Sequence, residues 1–383
     1  MDPGRERSAV VVGAGPAGLA ASRELAARGV EHIVLERGEI GDSWRRYYDG
    51  LVLHTGRHLS SLPGVPFNRS DPLFVPRDRF VRYLEDYAVR LRLPVRAGIA
   101  VTSARRDAGG WSVETSQGPW RARVLLVATG IAASPVIPIL PGAGGFAGRI
   151  RHSIEYRRPE PFAGRRVLVV GAGNSGGEIA AELARVASPV SIAIRSGVVV
   201  VPREILGIPS QYLGMLIRRL PGALAGPLVG AATALRARRL PAELPRSSAS
   251  PLHEVPLIGM HLPDAIRAGD VRVRPGVVGF EDALVRFADG TADPFDDVVM
   301  ATGFRAAIDW LEGVVGRDDR GFARRADRVT STDQPGLYFV GHEYDVSGGL
   351  ANIRRDAPTA ARLATQWLSQ SAPDVGAPSS APS

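Results

Sequence analysis

Two glycine-rich turns of one design stand in separate halves of this 383-residue chain, Gly13-Ala14-Gly15-Pro16-Ala17-Gly18 and Gly171-Ala172-Gly173-Asn174-Ser175-Gly176. Each follows a valine-rich run (Ala9 to Val12; Val167 to Val170) and opens an alanine-rich helical stretch (Ala17 to Arg28; Gly177 to Ala187). Strand, glycine turn and helix in that order form the dinucleotide fingerprint. The first glycine makes the tight turn, the second lets backbone N–H groups approach a pyrophosphate, and the third lets the helix pack on the strand. The helix N-terminus then turns unpaired donors and the positive end of its dipole toward the phosphates. A Cβ at Gly13 is expected to block the pyrophosphate and yield apoprotein. Two such turns imply two dinucleotides held together, and the simplest reason for holding two is electron transfer between them.

The residue after each following strand separates the two sites. Glu36, with Arg37 beside it, ends the strand His32 to Glu36, and its carboxylate can accept both ribose hydroxyls of an adenosine. That suits FAD and repels a 2′-phosphate. The matching place in the second half holds Ile194, Arg195 and Ser196, with no acid. A guanidinium and a hydroxyl there suit the 2′-phosphate of NADP.

Composition narrows the chemistry. The chain has no cysteine, which excludes disulfides, thiolate metal sites and a redox dithiol. It has no lysine either, so all 47 basic residues counted as Lys+Arg are arginine, and Schiff-base or P-loop lysine chemistry is excluded. The net charge of +8 is spread over scattered arginines without an aromatic-interleaved stripe. That fits a solvated surface and anionic cofactors, with no nucleic-acid partner. The polar N-terminus carries no secretory signal, so a cytoplasmic location is expected. The apolar run Leu220 to Leu235 is broken by prolines and glycines and is too short to span a bilayer. It reads as a helical hairpin, with minor membrane-surface contact through Arg218, Arg219, Arg236, Arg238 and Arg239 as the alternative. The Ser/Ala/Pro/Gly tail from 371 onward reads as disordered.

The elements that position these turns repeat between the halves. Each half carries a hairpin, Trp111 to Thr115 turning at Gln117-Gly118 and Leu284 to Phe287 turning at Asp289-Gly290. Each hairpin leads to a buried strand ending in one tripeptide, Ala128-Thr129-Gly130 or Ala301-Thr302-Gly303, expected at the carboxyl edge of a sheet beside the cofactor. A strand Leu337 to Val340 ending at Gly341, then a helix from about Ala357 to Leu368, return to the first domain. The expected fold is α/β, with two nested Rossmann-like dinucleotide-binding domains. The FAD domain spans 1–160 and 304–370, and the NADP domain spans 161–303 with a helical insert at about 203–262.

At this point the chain resembles the class B flavin-containing monooxygenases, most closely the plant YUCCA type and its bacterial relatives. Between the two turns lies Phe146-x-Gly148-x-x-x-His152-x-x-x-Tyr156, which looks like the fingerprint of that superfamily; Tyr156-Arg157 replaces the Trp-Pro of the Baeyer–Villiger branch. Other matching segments are Gly41-Asp42-Ser43-Trp44, Leu53-His54-Thr55, Leu62 to Phe67, Val201 to Gly207 and Gly336 to Gly341. The resemblance implies that Ser43, Trp44 and His54 lie near the flavin, and that the strand Ile99 to Val101 meets the adenine. It places His152 at the domain junction beside the NADP. Animal flavin monooxygenases carry an active-site Asn near Leu53-His54-Thr55, and this chain lacks it there. Asn174 is the better candidate for meeting the oxygen or the nicotinamide, with a loop-capping amide as its alternative.

The implied activity is that of an FAD enzyme. NADPH reduces the flavin, O2 is captured as a C4a-(hydro)peroxide, and one oxygen atom passes to a small organic substrate, first of all an amine nitrogen or other heteroatom. Carbonyl oxygen insertion and oxidative decarboxylation of a 2-oxo acid are alternatives on the same intermediate. A reductase passing electrons to a ferredoxin or quinone is the alternative of another class. Partners are then the substrate and O2. The insert from Val201 to about Leu262, with Tyr212, Met215 and Leu216, is the expected substrate side.

Overall fold

The structure, a computed structural model, describes residues 6–205, 207–217, 219–221, 226–227, 240–247, 256–343 and 348–370. The tail from 371 and most of the 220–235 stretch, with the readings made of them, lie outside these residues.

The valine-rich runs form central strands because a parallel sheet is covered on both faces and favours apolar residues in its middle. In the first unit these are β1 (Glu6–Val12), β2 (His32–Leu35), β3 (Val52–Gly56), β4 (Val95–Arg96), β5 (Val101–Asp107), β6 (Gly110–Thr115) and β7 (Trp120–Val127). The order β4-β2-β1-β7-β6-β5 is parallel over the first four and antiparallel over the last three, while β3 stands apart, paired with 74–76. Ala9, Val10 and Val11 are fully buried. The second unit is a five-stranded parallel sheet of β8 (Arg149–His152), β9 (Val167–Val170), β10 (Val190–Ala193), β11 (Val271–Arg274) and β12 (Asp297–Met300), in the order β8-β12-β9-β10-β11. After it, β13 (Leu337–Phe339) returns to lie parallel to β7. The first unit is therefore interrupted by the second, and the two are nested.

Helix α1 (Pro16–Ala26) follows the first turn, α2 (Arg77–Arg90) covers the same face, and α3 (Asn174–Leu183) follows the second turn. Helix α4 (Ser210–Ile217) belongs to the insert, and α5 (Gly349–Gln370) closes the chain. Both hairpins form, and each is extended by a further paired strand. Residues 101–107 pair with β6, so the strand starts at Val101 rather than at Ile99. Residues 277–281 pair with 284–287. Helix α5 starts at Gly349, ahead of the expected Ala357, with Pro358 inside it. A proline there removes one backbone bond, and packing of the buried Ala357, Ala360, Ala361 and Ala364 into the core shared with α1 carries the helix across it.

His342 anchors the segment after β13 that borders the site. It is 1% exposed, and its ring lies 4.9 Å from Phe339 and 5.6 Å from Phe322. Burial, reinforced by Arg325, lowers its pKa to about 3. Folding thus favours the neutral ring, so its contribution to stability is complete above about 6.5 and is lost as pH falls toward about 3. His342→Leu should flatten the fall in melting temperature across that window, an effect on the order of a few kcal/mol, measured by thermal melts at graded pH.

Candidate active site

The two turns are built alike. Gly13 has φ +104°, and a Cβ on it would stand 2.6 Å from the Ala128 carbonyl oxygen; Gly171 has φ +101°, with the Ala301 carbonyl oxygen at 2.6 Å. The third glycines are tighter: a Cβ on Gly18 would lie 1.8 Å from the Gly13 oxygen, and one on Gly176 would lie 1.9 Å from the Gly171 oxygen. Gly13 is therefore needed by its own turn, against the expectation that its Cβ would meet the pyrophosphate. The space left open lies at the middle glycines. Neither Gly15 nor Gly173 has any atom within 4 Å of a Cβ position, and each caps its helix without a side-chain hydrogen bond. Open space before a helix N-terminus is what a pyrophosphate fills, and the chain fits two of them.

One cavity of about 670 Å³ runs from the first turn to the second. Glu36 and Arg37 border it at one end together with Ile99, Ala100 and Val101; Glu36 accepts the Ala14 N–H at 2.7 Å and the Gly38 N–H at 2.9 Å. One lone pair on each oxygen is left for a ribose. Ser43, Trp44, His54, Ala128, Thr129, Gly130, Gly303 and Gly341 line the middle and far parts, as do Gly173 to Gly176 and Ala301. Of the residues singled out from the sequence, Gly18, His152, Gly171, Arg195, Ser196 and Thr302 do not line it, nor do Tyr212, Met215 and Leu216 of the expected substrate side. Gly18 and Gly171 sit behind the turns they shape. Arg195 and Ser196 stand exposed beyond the end of β10.

The two tripeptides lock the chain crossings between units. Thr129 donates to the Ala307 carbonyl at 2.7 Å, and Thr302 donates to the Val136 carbonyl. His152 is buried behind this junction. Its Nε2 lies 3.0 Å from the Gly303 carbonyl, to which it donates, and its Nδ1 accepts the Ile154 N–H at 3.2 Å. Burial lowers its pKa, and with both nitrogens committed its role is to hold the junction. Asn174 accepts the Ile258 N–H through Oδ1 at 2.7 Å, leaving only its amide donors for anything in the cavity. Trp44 packs edge-on to Phe80, with ring centroids 4.6 Å apart, and to Tyr47 at 5.8 Å. Tyr47 continues to Phe304 at 6.3 Å, and Phe304 to His152 at 4.8 Å. This row of rings walls the cavity from first unit to second.

Sequence reasoning missed the polar group that joins the units. Glu178 on α3 accepts Tyr48 Oη at 2.6 Å, His54 Nε2 at 2.8 Å and Arg203 Nη2 at 3.2 Å. Burial pushes the Glu178 carboxyl up, but hydrogen bonds from His54 and Tyr48 and the charge of Arg203 leave it below the usual range. Burial and that carboxylate raise the Tyr48 pKa well above its ordinary value. The signal in the sequence is spacing: Glu178 lies one helical turn after Asn174, on the same face. Among the described residues there is no cluster of His, Cys, Asp and Glu able to hold a metal ion, and no helix is long and apolar enough to cross a membrane.

Comparison with known proteins gives this geometry a context. Residues 10–202 match the pyridine nucleotide-disulphide oxidoreductase family. The chain is 36% identical over 381 residues to indole-3-pyruvate monooxygenase YUCCA1 of Oryza sativa subsp. japonica, covering 94% of this chain and 92% of that protein. It is 34% identical over 373 residues to indole-3-pyruvate monooxygenase YUCCA6 of Arabidopsis thaliana, covering 91% and 88%. Among solved structures, the flavin-containing monooxygenase from Stenotrophomonas maltophilia superposes with a TM-score of 0.76 at 26% identity, covering 94% of this chain and 99% of that one. Cyclohexanone monooxygenase, at 20% identity, TM-score 0.72 and coverage of 95% and 88%, shares the fold. The two dinucleotides are FAD and NADPH.

The glycines separate by function. Gly15→Ala should fold normally as apoprotein and bind FAD at least about ten-fold more weakly, since its Cβ enters only the pyrophosphate space. Gly18→Ala should lose about 3 kcal/mol or more with or without flavin, because its Cβ meets backbone. Denaturant melts and flavin titration of both variants check this; equal loss of stability in the two would contradict it. Gly173→Ala should keep its FAD and suppress flavin reduction by NADPH under anaerobic conditions.

Proposed function

The chain belongs to the class B flavin-dependent monooxygenases of the YUCCA type, and from that premise we propose that it oxidatively decarboxylates an aryl 2-oxo acid. As a member it is an NADPH- and O2-dependent FAD monooxygenase that oxygenates a small organic substrate. Likeness over nearly the full chain to enzymes named for indole-3-pyruvate, an aryl 2-oxo acid, carries the proposal. It moves a reaction that the sequence ranked behind heteroatom oxygenation into first place. The balance is 2-oxo acid, O2, NADPH and a proton giving the acid one carbon shorter, CO2, NADP+ and water.

FAD, once reduced, supplies the activation of O2. The residues of the chain orient and shield. The middle glycines seat the two pyrophosphates, and Glu36 selects the adenosine of FAD. The amide donors of Asn174, fixed through Ile258, point a neutral hydrogen-bonding group at the reacting end. Trp44, Tyr47 and Phe304 keep that end apolar and exclude water. Leu51, Leu53 and Ile258 add apolar wall where an aryl group would lie.

We assign the 2′-phosphate of NADPH to Arg195 and Ser196. Among the described residues the Arg195 guanidinium has no acidic partner, whereas nearby Arg274 is paired with Asp293. An exposed cation at the end of the second strand is what a ribose phosphate needs. Arg195→Ala should raise KM for NADPH by about 1.5–3 kcal/mol, roughly ten- to hundred-fold, and barely alter that for NADH. Equal effects on both would overturn the assignment.

The substrate proposal is tested by incubating the FAD-loaded enzyme with indole-3-pyruvate, NADPH and 18O2. One labelled oxygen should appear in the carboxyl group of the shortened acid, with CO2 released. Quantitative H2O2 without labelled product, or N-hydroxylation of the matching amine in its place, would contradict it.

A further inference from the structure

We infer that His54, clamped by Glu178, receives the carboxylate of the substrate and so selects for acids. The inference rests on the 2-oxo acid reading and goes beyond it by naming the recognising group. Glu178 is an ionised acceptor held by three donors, and its side chain is only 11% exposed. A carboxylate can only accept, so His54 Nε2 must carry the proton in their 2.8 Å hydrogen bond. That fixes the ring, and His54 lines the cavity. Nδ1 has no hydrogen-bond partner among the described residues and is not among the side-chain atoms sealed from solvent. The backbone carbonyl of His54 is also held, by Gln211 Nε2 at 3.0 Å, so the residue is fixed at both ends.

Charge balance points the same way. Arg203 already neutralises Glu178, at 3.2 Å. Tyr48, the other donor to Glu178, is a neutral phenol, and Gln211 meets the backbone carbonyl of His54. Taking up one proton at Nδ1 together with a substrate carboxylate, His54 therefore leaves the net charge unchanged. Its two N–H groups then serve two carboxylates, Glu178 through Nε2 and the substrate through Nδ1. Among the described residues the cavity has two other basic side chains, and both are placed for other work. Arg37 adjoins Glu36 at the adenosine end, and Arg320 lies over the Phe322 ring at 5.0 Å. His54 shares the lining with the apolar Leu53 and Ile258 and with Asn174. A charged hydrogen bond in such a place discriminates between an acid and its uncharged analogue.

The test uses equilibrium binding to the oxidised, FAD-loaded enzyme without NADPH, so that no turnover occurs. The probes are indole-3-acetate and indole-3-acetamide, which differ in charge and hardly in shape, and calorimetry reads both. The wild type should prefer the acid by about ten- to hundred-fold. His54→Gln should reduce that preference to within about two-fold, chiefly by weakening the acid. Glu178→Gln, which keeps the imidazole and removes its clamp, should reduce it in part. That second variant decides the matter if the first fails to retain FAD. Persistence of the full preference in a flavin-loaded variant would overturn the anchor, as would a wild type that turns over 2-oxo acids without preferring the acid probe. A wild type with neither the preference nor 2-oxo acid turnover would instead sink the proposed function beneath it.

Discussion

Everything in this molecule depends on α3 being fixed at both its end and its side. Its N-terminus opens on the cavity, and one of its faces carries Glu178 and Glu182, a turn apart, toward the other unit. Glu178 reaches Tyr48 and His54; Glu182 accepts Tyr156 at 2.8 Å and packs on Gly50. Buried carboxylates cost desolvation, and a well-packed apolar contact of the same size would often be at least as stable. What the carboxylates add is direction. A hydrogen bond fixes where the second nucleotide turn stands relative to the first, to within the tolerance that hydride transfer between two cofactors requires.

Around that helix the two halves solve one steric problem in the same way. A strand ends, the chain turns through a left-handed glycine that lies against the backbone of the neighbouring Ala-Thr-Gly segment, and a helix begins. The Thr of each segment then ties down the crossing between units. The crossings, the row of rings from Trp44 to Phe304 and the buried His152 therefore form a rigid hinge block behind the cavity. Catalysis by positioning needs such support, because a shift of an ångström in the cofactor geometry is costly.

How much of this the sequence revealed follows from which constraints are local. The glycine turns and their flanking strands were legible because turn and close approach each demand one residue type at one spacing, and Glu36 borders the cavity at the place that spacing gave it. The nesting was legible because a parallel strand such as Leu337–Phe339 must be apolar throughout. The helix Arg77–Arg90 went unread although Phe80, Val81, Leu84, Tyr87 and Ala88 recur with helical period. Helix α5 was read short because Pro358 suggests a boundary until tertiary packing is known. The division of labour among the glycines was misjudged at Gly13, since only the fold brings the Ala128 carbonyl against it. Of the Glu178 cluster only the helical spacing from Asn174 lies in the sequence, because Tyr48, His54 and Arg203 approach it from distant parts of the chain.

The central claim is that one cavity brings both nucleotides together, with α3 linked across it by Glu178. A crystal structure with FAD and NADP+ bound tests it most directly. FAD should lie against Gly15 and Glu36 and NADP+ against Gly173 and Arg195, with the nicotinamide facing the flavin within the one cavity and Glu178 still bonded to Tyr48 and His54. NADP+ bound elsewhere, or the two nucleotides exchanged between the turns, would contradict it.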